Sequence, residues 1–302
     1  MTLGADSTTD DVLAGTDLTG QVWVVTGATT GLGLETARVA AARGATVVMA
    51  VRNPDAATDA QSAVGPDGHL VACDLTSLAS VRAAAAEIAE RWPRVDVLVA
   101  NAGVMATPAG VTDDGFELQL GTNHLGHFLF VARLAPALAD DGRVVVVSSR
   151  AHFISGVDVD DPHYRTREYD KWQAYGQSKT ANILFARGLA QRGFTARSVH
   201  PGMIGTALYR YLPDAERAAV EARPAGSEGT VKSIPQGAAT IVWAAVGAGI
   251  PNGAYLADCA VTQPAEHATD PETADWLWAF SEREVGEVFP AREGVDKPDP
   301  AV

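Results

Sequence analysis

Two side chains that could move a proton lie four residues apart. Tyr175 and Lys179 occur in the stretch AYGQSKTAN, and on a helix this spacing places both side chains on one face, one turn apart. A tyrosine has a reference pKa of about 10 and is a poor base at neutral pH. Because a nearby ammonium stabilises the phenolate, we expect Lys179 to lower the pKa of Tyr175.

A glycine-rich segment near the start could hold a dinucleotide. The stretch TGATTGLG follows the apolar run VWVV and precedes an alanine-rich stretch. A phosphate site here needs a tight turn, a close backbone approach and a helix N-terminus directed at the anion. Gly27, Gly31 and Gly33 can meet these needs, and a merely flexible turn is the alternative.

These residues require a scaffold, and the hydrophobic pattern predicts one. Short β-branched runs alternate with longer Ala/Leu/Arg-rich stretches, and the runs are continuous in hydrophobicity, as in parallel strands buried on both faces. We predict an α/β fold: a doubly wound (Rossmann) parallel sheet of about seven strands with helices on both faces. The predicted strands are 22–27, 45–51, 69–74, 95–103, 143–149, 195–202 and 254–260, and the helices include 33–43, 77–92, 115–139 and 174–192.

The chain is expected to form one domain over residues 18–302, after a flexible polar tail at 1–17. The segments 150–173 and 203–235 interrupt the strand–helix rhythm. Long irregular segments in a compact domain are commonly binding loops. Both follow the carboxyl end of a predicted strand, where ligands bind in this architecture.

Composition narrows the function classes. The net charge is −14, which disfavours nucleic acid as a partner. Two cysteines fit a reducing cytoplasm, and the start lacks the features of a signal peptide. No charge-free apolar run reaches about 18 residues, so we expect no membrane span. His124 and His127 have a spacing that metal ligands use, but no third ligand is suggested nearby, so no metal is expected.

The motifs resemble those of the short-chain dehydrogenase/reductase family. TGxxxGxG and YxxxK are similar to its single-domain members, whereas the nucleotide-sugar epimerase branch carries TGxxGxxG. The stretches NHLGHFLF, VVVVSSRAH, VRN and GAYLADC look most like its retinol-dehydrogenase-like branch. The resemblance implies that Asn123, Ser149, Tyr175 and Lys179 are catalytic. It also implies that Lys179 binds ribose hydroxyls and that Asn123 kinks its helix and holds a water behind the lysine.

The end of the second predicted strand indicates which dinucleotide is bound. Val51 stands where the family places an NAD-selecting acid, and Arg52 follows, as expected for a contact to a 2′-phosphate. NADP(H) is therefore the preferred cofactor, but Leu34 replaces a basic residue common in NADP-binding relatives, so NAD(H) stays open. Asp74 matches a position beside the adenine or is simply a helix cap. The implied cofactor-binding residues are Gly27, Thr29, Thr30, Gly31, Leu32, Gly33, Arg52, Asn53, Asp74, Leu75, Asn101, Ala102, Gly103, Tyr175, Lys179, Pro201, Gly202, Ile204 and Thr206.

We therefore expect an NADP(H)-dependent oxidoreductase that interconverts a ketone or aldehyde and an alcohol. Aromatic residues in the two irregular segments favour a lipophilic or aromatic substrate, although they could equally pack the loops; they are Phe153, Tyr164, Trp172, Tyr209 and Tyr211. An epimerase or dehydratase using the same site and a non-catalytic NADP-binding sensor are the alternatives. The family resemblance leaves a homodimer or homotetramer open.

Overall fold

A central parallel sheet organises the chain. The computed structural model describes residues 2–205, 207–214, 216, 218 and 231–292. The strands of the sheet are β1 (Val22–Thr26), β2 (Thr46–Val51), β3 (Gly68–Ala72), β4 (Val95–Ala100), β5 (Leu138–Val147), β6 (Thr195–His200), β9 (Tyr255–Ala257) and β10 (Ala260–Thr262). They lie in the order β10-β9-β6-β5-β4-β1-β2-β3, and all the pairings are parallel except that of β9 with β10. A separate pair joins β7 (Met203–Ile204) to β8 (Val231–Lys232).

Helices cover both faces of this sheet, as the hydrophobic pattern predicts. They are α1 (Thr9–Val12), α2 (Gly31–Ala41), α3 (Thr58–Val64), α4 (Leu78–Arg91), α5 (Leu118–Leu120), α6 (Gly126–Leu134), α7 (Lys171–Gln191), α8 (Ile234–Val246) and α9 (Pro271–Val285). A π-helical segment, Gly121–Leu125, links α5 to α6. Within the described residues, no helix combines the length and apolarity needed to cross a bilayer.

Alternate residues of the strands bury against two apolar clusters, one on each face. Trp23 and Val25 join the cluster that includes residues of α2, α3 and α8, whereas Val24 joins the one formed with α4, α6, α7 and α9. This two-faced burial explains the continuous hydrophobic runs of the central strands. The prediction of a doubly wound α/β domain is confirmed.

The sheet has eight strands rather than about seven, because the expected strand 254–260 is a hairpin. Asp258 and Cys259 both have φ near +53°, and Ala257 pairs with Ala260 across them. Two consecutive left-handed residues make the type of turn that reverses a strand tightly. The sequence DC lacks the glycine or asparagine that would have indicated this turn.

Residues 8–13 are ordered and packed against α2, contrary to the expectation of a flexible tail over 1–17. Thr8 and Asp11 form a reciprocal capping box at α1, and Leu13 is fully buried. Thr9 Oγ1 donates to Glu35 Oε1 at 2.5 Å, which ties α1 to α2. The polar composition of this segment did not indicate that it is ordered, because its order depends on these few specific contacts.

Candidate active site

A large cleft lies at the carboxyl ends of β1, β4, β5 and β6, which is the edge where ligands bind in such sheets. Its volume is about 1450 Å³. The lining includes most of the predicted site residues: Gly27, Thr29, Thr30, Gly31, Leu32, Gly33, Asn101, Ala102, Gly103, Ser149, Tyr175, Lys179, Pro201, Gly202 and Ile204.

Helix α7 carries both members of the Tyr–Lys pair into this cleft. The helix begins after Asp170, whose carboxylate accepts hydrogen bonds from two backbone N–H groups of the first turn. Tyr175 and Lys179 are both buried, and Lys179 Nζ lies 5.7 Å from the centre of the Tyr175 ring. The ammonium also donates to the backbone oxygen of Val147 at 3.1 Å. The predicted helical pairing is therefore present.

Burial changes the proton affinities of the pair. It raises the pKa of Tyr175 to about 12, an increase that a hydrogen bond from Ser149 opposes. Burial also lowers the pKa of Lys179 to about 8. The sequence led us to expect that Lys179 lowers the pKa of Tyr175, whereas in the protein alone burial raises it. Tyr175 consequently keeps its proton at neutral pH.

Ser149 lies at the end of β5, where it caps a short 3₁₀ helix, Arg150–Phe153. Its Oγ accepts a hydrogen bond from the backbone N–H of Ala151 at 3.2 Å. Since that bond occupies an acceptor position, the hydroxyl proton is available to Tyr175. The neighbouring Ser148 instead donates to the backbone oxygen of Lys179 and is buried. The geometry thus favours the second serine of the pair.

Asn123 lies within the π-helical segment, where a helix is locally distorted. Its side chain accepts from Val104 N at 2.8 Å and donates to Val104 O and to Ser178 Oγ, both at 2.9 Å. A Cβ added to Gly103 would lie 3.0 Å from Asn123 Oδ1 and 3.6 Å from Lys179 Nζ. Asn123 therefore fixes the backbone after β4 beside the lysine.

His127 connects this helix to the first strand. Because a carbonyl oxygen only accepts, His127 Nδ1 donates to Asn123 O at 2.9 Å. His127 Nε2 then accepts from Thr26 Oγ1 at 2.8 Å. Thr26 Oγ1 also receives the N–H groups of Asn101 and Ala102. One buried hydroxyl thus holds three parts of the cleft together.

The two histidines of α6 and its preceding turn are neutral side chains in the core. Burial lowers the pKa of His124 to about 3 and that of His127 to about 4. His124 Nε2 forms a hydrogen bond with Ser281 Oγ at 2.8 Å. In the part of the chain that the structure describes, no three His, Cys, Asp or Glu side chains group as metal ligands.

The glycine-rich segment forms a cradle. Gly27 and Gly31 have positive φ angles of 68° and 59°. A Cβ on Gly33 would lie 2.4 Å from Gly27 O and 2.5 Å from Asn101 Nδ2. Thr30, which precedes α2, makes no side-chain capping bond. The first backbone N–H groups of α2 therefore remain available to an anion.

Some predicted cofactor residues lie outside the lining of the cleft. Arg52 and Asn53 are exposed just after β2. Asp74 accepts from the backbone N–H and hydroxyl of Thr76 at 2.9 and 2.7 Å, so it binds within the loop before α4 and does not cap that helix, whose N-cap is Ser77. Leu75 is buried, and a Cβ added to Gly126 would lie 2.6 Å from its backbone oxygen. Thr206 lies outside the described residues.

The other end of the cleft is largely apolar. Three of the loop aromatics line it, namely Phe153, Trp172 and Tyr209. Tyr164 packs instead against Tyr169 and Arg167. Sequence reasoning missed Met105, Ile154, Leu208 and Leu212, which also line the cleft; they lie in segments without periodicity, so no pattern marked them. Sequence reasoning also missed polar residues elsewhere in the lining of the cleft, among them Asp6, His200, Lys232 and Asp258.

Several known proteins are similar to this chain in sequence or in structure. The family model of the short chain dehydrogenases matches residues 21–217. A Streptomyces lividans protein named "Probable oxidoreductase" is 43% identical over 294 residues, covering 87% of this chain and 97% of that protein. Human retinol dehydrogenase 13 is 37% identical over 294 residues, covering 88% and 85%. The structure of a Burkholderia cenocepacia J2315 short chain dehydrogenase in complex with NADP matches with a TM-score of 0.64 and 26% identity, covering 79% and 96%.

The chain belongs to the short-chain dehydrogenase family and is an oxidoreductase of that family. The similarity to retinol dehydrogenase 13 also confirms the resemblance to the retinol-dehydrogenase-like branch.

Proposed function

We propose that the protein is an NADP(H)-dependent oxidoreductase that interconverts a lipophilic or aromatic ketone or aldehyde with its alcohol. The observation that carries this proposal is the convergence of Ser149, Tyr175 and Lys179 in one cleft with the glycine cradle. Asn123 Oδ1 and Lys179 Nζ both lie close to Gly103. A proton donor beside an anion-binding helix terminus suits hydride transfer coupled to proton transfer.

The residues present fit a dinucleotide. The uncapped start of α2 offers backbone N–H groups to a diphosphate, and Gly33 leaves no room for a side chain between the cradle and the sheet. Arg52 follows β2 directly and is exposed, so its guanidinium can bind a 2′-phosphate. This arginine supports NADP(H) over NAD(H), as does the NADP complex of the Burkholderia relative.

The roles of the side chains follow from their proton affinities. The bound cofactor would supply or accept the hydride. Tyr175, whose pKa burial raises to about 12, keeps a proton that it can donate to the substrate oxygen. Ser149 donates a hydrogen bond to the same oxygen and so stabilises the charge that develops there. Lys179 supports the tyrosine electrostatically and binds ribose hydroxyls, while Asn123 positions the adjoining backbone.

The apolar end of the cleft supports a lipophilic substrate. Met105, Trp172 and Leu212 present a mainly hydrophobic wall beside Tyr175. Phe153 and Ile154 line the cleft while remaining half exposed, so they can cover apolar surface of a bound molecule. A small hydrophilic carbonyl would gain little from these contacts.

We place the reaction in the cytoplasm, where free thiols persist. Cys73 and Cys259 are both free and buried. A homodimer or homotetramer remains part of the proposal on family resemblance alone.

The test is Tyr175→Phe, with Tyr211→Phe as the matched control on an exposed tyrosine. With NADPH and a panel of aryl ketones, retinoid aldehydes, steroids and quinones, we expect Tyr175→Phe to lose at least about 100-fold in kcat. NADPH affinity, measured by calorimetry, should stay unchanged, and the control should behave as wild type. Normal turnover by Tyr175→Phe would refute the assignment. Wild-type NADPH binding without consumption on any carbonyl would favour a sensor, and product formed without net NADPH consumption would favour an epimerase or dehydratase.

A further inference from the structure

A buried histidine lies between Ser149 and the C-terminal part of the chain. The side chain of His152 is fully buried. Its Nδ1 lies 2.7 Å from the backbone oxygen of Ser149, and its Nε2 lies 3.0 Å from the backbone N–H of Ala265. The ring therefore bridges the end of β5 and the segment that follows β10.

These two partners determine the tautomer. The Ala265 N–H can only donate, so Nε2 must accept and the ring proton is on Nδ1. Nδ1–H then donates to Ser149 O, which is a pure acceptor. Ser149 O also receives the backbone N–H of His152 at 3.1 Å, so both of its acceptor positions are used.

The backbone of His152 is held as firmly as its ring. Its oxygen accepts from His267 Nε2 at 2.7 Å. Thr180 Oγ1, which donates to Ser155 O at 2.7 Å, also lies 3.2 Å from the His152 oxygen. Thr180 directly follows Lys179 on α7. The histidine thus has fixed contacts to the catalytic helix and to the C-terminal segment, in addition to Ser149.

We propose that His152, held by Ala265, is the positioning residue that orients Ser149 toward Tyr175. The serine hydroxyl can donate usefully only while its Oγ accepts from Ala151 N and its carbonyl faces the His152 ring. Loss of the Nδ1–H donor leaves Ser149 O with only the backbone N–H of His152 at 3.1 Å, so the Ser149 peptide can tilt and the hydroxyl loses its direction. The inference rests on the proposed function, because it requires Ser149 to act in turnover.

Two substitutions separate the two ends of the ring. His152→Asn can place an amide N–H where Nδ1 lies and so retains the bond to Ser149. His152→Gln can place an oxygen where Nε2 lies and so retains the bond to Ala265 but not the one to Ser149. Both variants remove the ring, so a role in packing alone predicts similar losses in both.

The experiment measures kcat, KM, NADPH affinity and the unfolding temperature of both variants with NADPH and the best carbonyl substrate. We expect His152→Gln to lose roughly 10- to 100-fold in kcat, the scale of a displaced catalytic group. Its KM and NADPH affinity should stay near wild type, and His152→Asn should recover most of kcat. Equal losses in both variants, or wild-type kcat in His152→Gln, would overturn the proposal.

If neither variant folds, Ala265→Pro decides the question. Ala265 has φ −59°, which proline adopts without strain, and proline removes the N–H that fixes the ring. We expect a kcat loss of about 10-fold with unchanged NADPH affinity; wild-type kcat would overturn the inference. Ser149→Ala separates this result from the wider proposal. If Ser149→Ala retains kcat, the proposed role of the serine fails, whereas if it loses kcat and His152→Gln does not, only the inference about His152 fails.

Discussion

Replacing Gly33 with alanine tests whether the glycine cradle is the dinucleotide site. The added Cβ would lie 2.4 Å from Gly27 O and 2.5 Å from Asn101 Nδ2. Carbon–oxygen contacts in proteins start at about 3.3 Å, so α2 must separate from the turn by roughly 1 Å. Neither neighbour can yield easily, because Gly27 N donates to Ala50 O and Asn101 Nδ2 donates to Thr26 O, each at 2.9 Å.

The shift has two measurable consequences. Overpacking of this kind lowers the free energy of unfolding by about 1–3 kcal/mol. The displaced α2 also loses one or two charge-assisted hydrogen bonds to a diphosphate. At about 1.5–3 kcal/mol for a hydrogen bond to a charged group, the loss of one raises the Kd for NADPH roughly 10- to 100-fold.

Calorimetric titration with NADPH measures this Kd, and thermal unfolding with and without NADPH measures stability. Gly110→Ala is the control, because a Cβ there would lie 3.6 Å from the nearest atom, Leu118 Cδ2, in ordinary contact. We expect the control to bind NADPH as the wild type does. A folded Gly33→Ala variant whose Kd stays within about threefold of wild type would refute this account of the cradle.

Three further predictions concern other residues of the protein. Arg52→Ala should raise the KM for NADPH roughly 10- to 100-fold and leave that for NADH nearly unchanged, since one charge-assisted contact is lost; equal changes for both cofactors would contradict the 2′-phosphate role. Burial lowers the pKa of Lys179 to about 8, so its ammonium is present below that pH and is lost above it. The kcat for carbonyl reduction should therefore fall as the pH rises through 8. A kcat that stays constant up to about pH 10 would contradict this role of Lys179. Thr9→Val removes the bond to Glu35 and should lower the free energy of unfolding by about 1.5–3 kcal/mol in urea titrations, whereas the exposed Thr58→Val should change it little; equal effects would exclude an anchoring role for α1.

The sequence allowed most of the sheet to be predicted because its central strands are buried on both faces. Runs such as VWVV leave no alternative to a buried strand once glycine turns and helical stretches flank them. The hairpin at Asp258 and Cys259 could not be predicted, since its left-handed backbone is imposed by pairing between Ala257 and Ala260. Tertiary contact rather than local preference determines that turn.

The site divides in the same way. Tyr175 and Lys179 were identifiable because helical spacing alone brings them together. His152 was not assigned a role, because its partners Ser149 and Ala265 are over a hundred residues apart along the chain. A histidine after a serine pair carries no local signal of such a bridge. The sequence therefore identifies groups that act along one element more readily than those that join two.

Burial sets the protonation state of Tyr175 in the protein alone, and helical spacing does not. Lys179 lies one turn from Tyr175, yet its Nζ is 5.7 Å from the ring centre and donates to Val147 O. Removal from water raises the pKa of the Tyr175 phenol to about 12, although the hydrogen bond from Ser149 acts to lower it. In the protein alone Tyr175 is therefore a proton donor at neutral pH, which suits reduction of a carbonyl. Oxidation of an alcohol needs the phenolate, so it requires additional positive charge near Tyr175, and a positively charged oxidised nicotinamide bound in the cleft would provide that charge.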